Sequence, residues 1–269
     1  MKRLLVLLVV ISGIISSTST KPKYVKSPLD EIITKYLNEQ NYSVILADMD
    51  YKESEDKYYH KYRIIIEKSN PNLSAEELND SLAVASDIEY TDTDWNVVSP
   101  IIFEEYQGDL GMTILSKKNG VLNRNSSPAG YDNYVGNSRY GRWETQSNGS
   151  SFWAFYGRYR LFSDLFYGPR YYARSDWNRY DRGYRNTSSY YGTNNSYGTK
   201  SQKNTHTSWS RKPQSFKDKV GSRVKQSSSA LKSRGYTSSK SYSKTNKTSR
   251  NSSRYSKSSS RSRSGGFGK

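Results

Sequence analysis

The chain has 269 residues, 33% of them hydrophobic, and a formal charge of +17 from 42 Lys/Arg against 25 Asp/Glu. It contains no cysteine, which excludes disulfides, thiolate metal sites, a Cys nucleophile and a lipid-modified Cys within it. Its two histidines, His60 and His206, form no His-Glu-x-x-His zinc pattern, and the sequence carries no phosphate-cradling glycine loop or nucleophile elbow.

The surplus charge is gathered at one end. From Thr187 to Lys269 there are nineteen Lys/Arg and one acid, Asp218, whereas the preceding 186 residues hold 23 Lys/Arg and 24 Asp/Glu. At the other end, Lys2 and Arg3 precede the apolar run Leu4–Ile15, and Ser16–Thr20 are small. Positive flank, apolar stretch and small-residue region are the three parts of a secretory signal. The run is twelve residues long, shorter than the roughly 20 that a spanning helix needs. Residues 1–20 are therefore predicted to be a signal peptide, with a retained N-terminal anchor as the alternative, and the mature chain to have no transmembrane span.

Residues 21–125 predict a small α+β domain, an antiparallel sheet with one or two helices. Ser27-Pro28 marks a helix start, because Ser can cap and Pro at the first helical position loses no needed donor. Leu29, Ile32, Ile33, Tyr36 and Leu37 follow on one helical stripe. Tyr42–Tyr51 and Tyr58–Glu67 are rich in β-branched and aromatic residues and predict a hairpin closed by the charged link Lys52–Lys57. Ser74 and Glu77 form a capping box, with Leu73, Leu78 and Leu82 placed for a second helix. Leu110, Met112 and Ile114 alternate, and Asn119-Gly120 before Val121-Leu122 predicts a second hairpin, since both turn positions need positive φ. Two acidic clusters stand out: Asp48, Asp50, Glu53, Glu55 and Asp56, then Asp87, Glu89, Asp92 and Asp94. Neither has an EF-hand loop, so solvated loops are the default and no metal or cofactor is predicted. Attraction of these acids, in either cluster, for the chain's own cationic tail is a further reading, one that salt would weaken.

Residues 126–186 are aromatic, Gly- and Arg-rich. Phe152, Phe155, Tyr156, Tyr159 and Phe166 fit helical spacing. The segment is read either as completing the domain core or as an exposed aromatic surface, for which Trp143, Trp153, Tyr156 and Trp177 are the candidates. Residues 187–269 are predicted to be a disordered Ser/Lys/Arg-rich tail, too poor in apolar residues to offset the entropy of ordering. Within it Phe216, Val220, Val224 and Leu231 fall at helical spacing with Ser215 as a possible cap. The pattern is either chance or a basic amphipathic helix on an anionic surface.

The stretches Pro128–Asn137, Arg139–Trp143 and Ser151–Gly157, with the Gly265-Gly-Phe-Gly-Lys269 ending, resemble a pattern in exported bacterial envelope proteins of unknown function. The resemblance implies bacterial export and says nothing about catalysis. Together these features predict an exported, non-enzymatic protein in the periplasm, attached to the cell envelope or secreted. It is expected to bind anionic envelope polymers, lipid head groups or, non-specifically, extracellular nucleic acid, with no small-molecule substrate. The predicted contacts are Arg211, Lys212, Lys217, Lys219, Arg223, Lys225, Arg250, Arg254, Arg261 and Arg263, acting by counterion release. The alternatives are a self-associating surface-layer component and, with less support, a wall hydrolase using His60.

Overall fold

The computed structural model describes residues 22–68, 87–166, 172–201 and 207–238. The predicted signal region, the helix predicted from the Ser74–Glu77 capping box, His206 and the last 31 residues lie outside the described residues. The fold is α+β, with antiparallel sheets and helices.

Strand β1 (Asn41–Lys52) sits mid-sheet and is buried along most of its length. It pairs antiparallel with β2 (Lys57–Glu67), closing the predicted hairpin over the link between them, with a bulge at Ala47. On its other side lies β5 (Met112–Lys118). The short strands β3 (Ile88–Asp92) and β4 (Asn96–Val98) pair with β2. Strands β6 (Val121–Asn123) and β7 (Ser127–Pro128) pair with β5. The β5–β6 turn is the predicted one: Asn119 and Gly120 both have positive φ, 49° and 79°.

An antiparallel sheet commonly leaves one face to water; here both faces are apolar and both are covered. Tyr42, Val44, Leu46, Tyr62, Ile64 and Ile66 belong to one core. Helices α1 (Pro28–Lys35) and α2 (Pro100–Tyr106) contribute Leu29, Ile32, Ile102, Phe103 and Tyr106 to it. Pro28 takes the first helical position as expected, but Ser27 Oγ makes no cap bond; the cap at α2 comes from Ser99, which accepts the Ile102 N–H. The cover is completed by the part of the chain expected to be disordered. The short helix α5 (Ser208–Arg211) inserts Trp209, and α6 (Gln214–Lys232) inserts Val220 and Val224, with Phe216 packed beside them. This corrects the disorder expectation for residues 187–201 and 207–238. The tail's sparse apolar residues need no core of their own, because they complete one that β1, β2 and α2 leave open. Gln214 starts α6 after Pro213, so Ser215 does not cap it.

The opposite face, with Ile45, Ile65 and Ile88, is covered by the aromatic segment. The helical reading of Phe152–Phe155 is overturned: Ser151–Phe155 is strand β9, between β8 (Gly141–Thr145) and β10 (Tyr172–Ala173) in a small second sheet. A 3-10 turn and the one-turn helix α3 (Phe162–Leu165) then bring Tyr159, Phe162 and Phe166 onto Tyr134 and Tyr140. Helix α4 (Arg174–Gly183) adds Tyr180. Aromatic rings at offset or edge-on contact fill this core in place of aliphatic residues. The core-completing reading of residues 126–186 therefore holds for the described residues.

Candidate functional site

The first acidic cluster and the arm of residues 207–238 meet directly. Asp48 accepts the main-chain N–H of Ser208 at 2.7 Å and of Trp209 at 3.2 Å, serving the open donors at the start of α5. Further along the hairpin, Lys212 pairs with Asp50 (3.0 Å), Lys219 with Glu53 (2.7 Å) and Arg223 with Asp56 (3.2 Å). At the far end of α6, Lys232 and Ser228 both bond Glu104, at 2.6 and 2.5 Å. Partial burial opposes ionisation of Glu104, but these two hydrogen bonds outweigh it and hold its carboxyl below the usual range. The Lys219 hydrogen bond does the same for the exposed Glu53. Asp48, Asp50, Glu53 and Asp56 are thus partners of the chain's own arm, whereas Glu55 is held within the hairpin by Lys52, Lys57 and the Tyr59 hydroxyl.

This placement changes the expected polyanion contacts. Lys212, Lys219 and Arg223 are engaged in ion pairs, and Lys217 donates to the Ser210 carbonyl at 3.1 Å. Arg211 and Lys225 also lie on the docked arm, Lys225 close enough to act on Glu104. Arg250, Arg254, Arg261 and Arg263 lie outside the described residues. The second acidic cluster is likewise engaged: Arg63 binds both oxygens of Asp92, at 2.7 and 2.9 Å, and Asp87 accepts from Arg139 and Tyr159. Among the described residues no group of three His, Asp or Glu side chains is placed to hold a metal ion.

Of the four aromatic surface candidates only Tyr156 is exposed. Trp153 is buried, and Trp143 and Trp177 are half-buried against each other with ring centres 5.6 Å apart. They belong to the core because β8, β9 and α4 are folded onto one another. His60 is fully buried beside Phe103 and Tyr106, with Nδ1 3.1 Å from the Tyr62 hydroxyl. Burial pushes its pKa down to about 3, so the ring is neutral at physiological pH and lies away from solvent. No helix among the described residues is long and apolar enough to cross a membrane.

One concave region has no signature in the sequence, because its residues come from five separate segments. Three adjoining hollows of about 290, 380 and 220 Å³ surround Lys118, the last residue of β5, which lines all three. Arg185 and Asn186 approach from the turn after α4, Asn137 and Trp177 form one wall, and Asn41 and Arg139 form another. Gly136, with φ 81°, lets the Trp177 ring lie against the backbone where any Cβ would collide. Lys118 Nζ and Arg185 Nη1 donate to the same oxygen, the Asp132 carbonyl, at 3.1 and 2.8 Å. The burial of its surroundings, and then the Arg185 charge, lower the pKa of Lys118 although the side chain reaches solvent. No family model, curated protein or solved structure matches this chain.

Proposed function

We propose that this is an exported, non-catalytic protein of the bacterial cell envelope whose cationic C-terminal end holds anionic envelope polymers. The docked arm shifts that role toward the chain's end. Between Ser239 and Lys269 there are nine Lys/Arg and no acid, and the nearby hairpin acids are already paired with Lys212, Lys219 and Arg223. Attraction by such a segment releases counterions and needs no fixed geometry.

The observation that carries the reading is the meeting of the two ends of the described chain. Tyr24 stacks on Tyr236 with ring centres 4.7 Å apart, and Arg234 donates to the Pro22 carbonyl at 3.3 Å. The described chain therefore reaches the start of its cationic end just beyond a packed helix, beside its own first described residues. A polymer gripped by that end is coupled through α6 to the sheet.

The test compares the full chain with one ending at Ser238 on a heparin-type resin and on phosphatidylglycerol vesicles. The full chain is expected to be retained at low salt and released steeply as salt rises, and the shortened chain to flow through. Equal retention of the two would remove the reading.

A further inference from the structure

We propose that the groove around Lys118 and Arg185 binds a phosphate-type oxyanion, as carried by a phosphodiester envelope polymer. The polymer as source rests on the reading above; the anion site itself does not.

The first support is the charge arrangement. Two cations converge on one carbonyl oxygen, that of Asp132. Arg185 is fixed: its Nε bonds Asp181 at 2.6 Å, Nη2 donates to the Tyr131 carbonyl at 3.2 Å, and the guanidinium lies over the Tyr180 ring. Lys118 makes no ion pair among the described residues. Arg185 already has Asp181 as its counter-charge, which leaves Lys118, its pKa lowered in part by the Arg185 charge, as the groove cation an added anion would favour.

The acids that face the groove leave Lys118 without an ion pair among the described residues. Asp181 is held by Arg185, and Glu67 by Arg139 at 2.8 Å. Asp132 is held by hydroxyls: Ser127 donates to it at 2.5 Å and Tyr180 also donates, with the Asn123 amide at 3.5 Å.

The second support is the set of free donors. Asn119 and Asn186 line the same 290 Å³ hollow as Lys118 and Arg185, and their side-chain amides have no hydrogen-bond partner among the described residues. Both sit in left-handed backbone, with φ 49° and 60°. Lys118, Arg185 and two amides offer donors from several directions. That suits the three or four oxygens of a phosphate better than the two of a carboxylate.

The experiment follows the Asn119 and Asn186 side-chain amide signals by NMR in the full chain, at constant ionic strength. Inorganic phosphate, glycerol phosphate, a soluble poly(glycerol phosphate), phosphatidylglycerol vesicles and acetate are each titrated. Phosphate and glycerol phosphate are expected to shift both signals and the polymer to do so at lower concentration, with acetate weaker. Lys118→Met should weaken glycerol phosphate binding about tenfold, Asn186→Asp should abolish it by repulsion, and the chain ending at Ser238 should keep it. Absence of shifts at about 10 mM phosphate, equal affinity in Lys118→Met, or acetate binding as tightly would overturn the site. Response to the vesicles and not to the soluble polymer would overturn the polymer assignment. Loss of resin retention on truncation with no response in the groove refutes this inference alone, and the reverse pattern refutes only the tail reading.

Discussion

The Asp48 carboxylate, in the middle of the first strand, accepts the main-chain N–H of Ser208 at 2.7 Å, although 160 positions separate the two residues. A strand side chain thus performs for α5 the service that an N-cap residue performs for its own helix. Asp48→Ala is expected to leave these donors unserved and cost about 1–2 kcal/mol, read as a shift in the urea midpoint. Asp48→Asn, which keeps an acceptor oxygen, should restore most of the loss.

Two kinds of force hold the arm, and their sizes differ. Exposed ion pairs contribute little each, whereas a buried aliphatic side chain contributes about 1.5–3 kcal/mol. Leu231 is fully buried, while Lys219 and Glu53 are both largely exposed. Leu231→Ala should therefore destabilise the protein by about 2–4 kcal/mol and speed tryptic cleavage within residues 211–232. Glu53→Gln should leave both nearly unchanged, and high salt should not free the arm. Cleavage of the wild-type arm as soon as salt is raised would show that charge alone fastens it.

His60 supplies a pH dependence. Its folded pKa of about 3 lies below the value of about 6.5 expected in the unfolded chain. The unfolded chain binds the proton first, so this contribution is complete above pH 6.5 and is lost progressively between 6.5 and 3. Asp92, lowered by its Arg63 hydrogen bonds against partial burial, and Glu104 lose their contributions only at lower pH, below about 4. Stability should thus fall from pH 6.5 toward 5 by up to about 1.4 kcal/mol per pH unit. His60→Phe should flatten that slope, and an unchanged slope would mean that the ring is accessible to protons in the folded state.

Local signals were legible in the sequence where a segment answers to its own residues. The Tyr42–Glu67 hairpin, the Asn119-Gly120 turn and the helix after Ser27-Pro28 all follow from patterns within a dozen residues. Ser99-Pro100 repeats the same helix start and marks α2, a signal that went unread. Phe152–Phe155 misled because dense aromatics satisfy helical and strand spacing at once, and pairing with β8 decides for the strand. The stripe of Phe216, Val220, Val224 and Leu231 is visible in the sequence, and so is the opposite charge of the acidic clusters and the cationic tail. What the sequence could not show was that β1, β2 and α2 expose a matching apolar face. The groove around Lys118 was illegible for a related reason, since chain reversal alone brings Lys118, Asn137 and Arg185 together.

The account turns on the division of the cationic third of the chain into a docked arm and a charged end. Amide hydrogen exchange along α6, with and without a soluble polyanion, tests that division most directly. The amides of Val220, Val224, Ser228 and Leu231 are expected to exchange orders of magnitude more slowly than in a free peptide, and polyanion should leave them unchanged. Exchange at free-peptide rates, or loss of protection when polyanion is added, would contradict it.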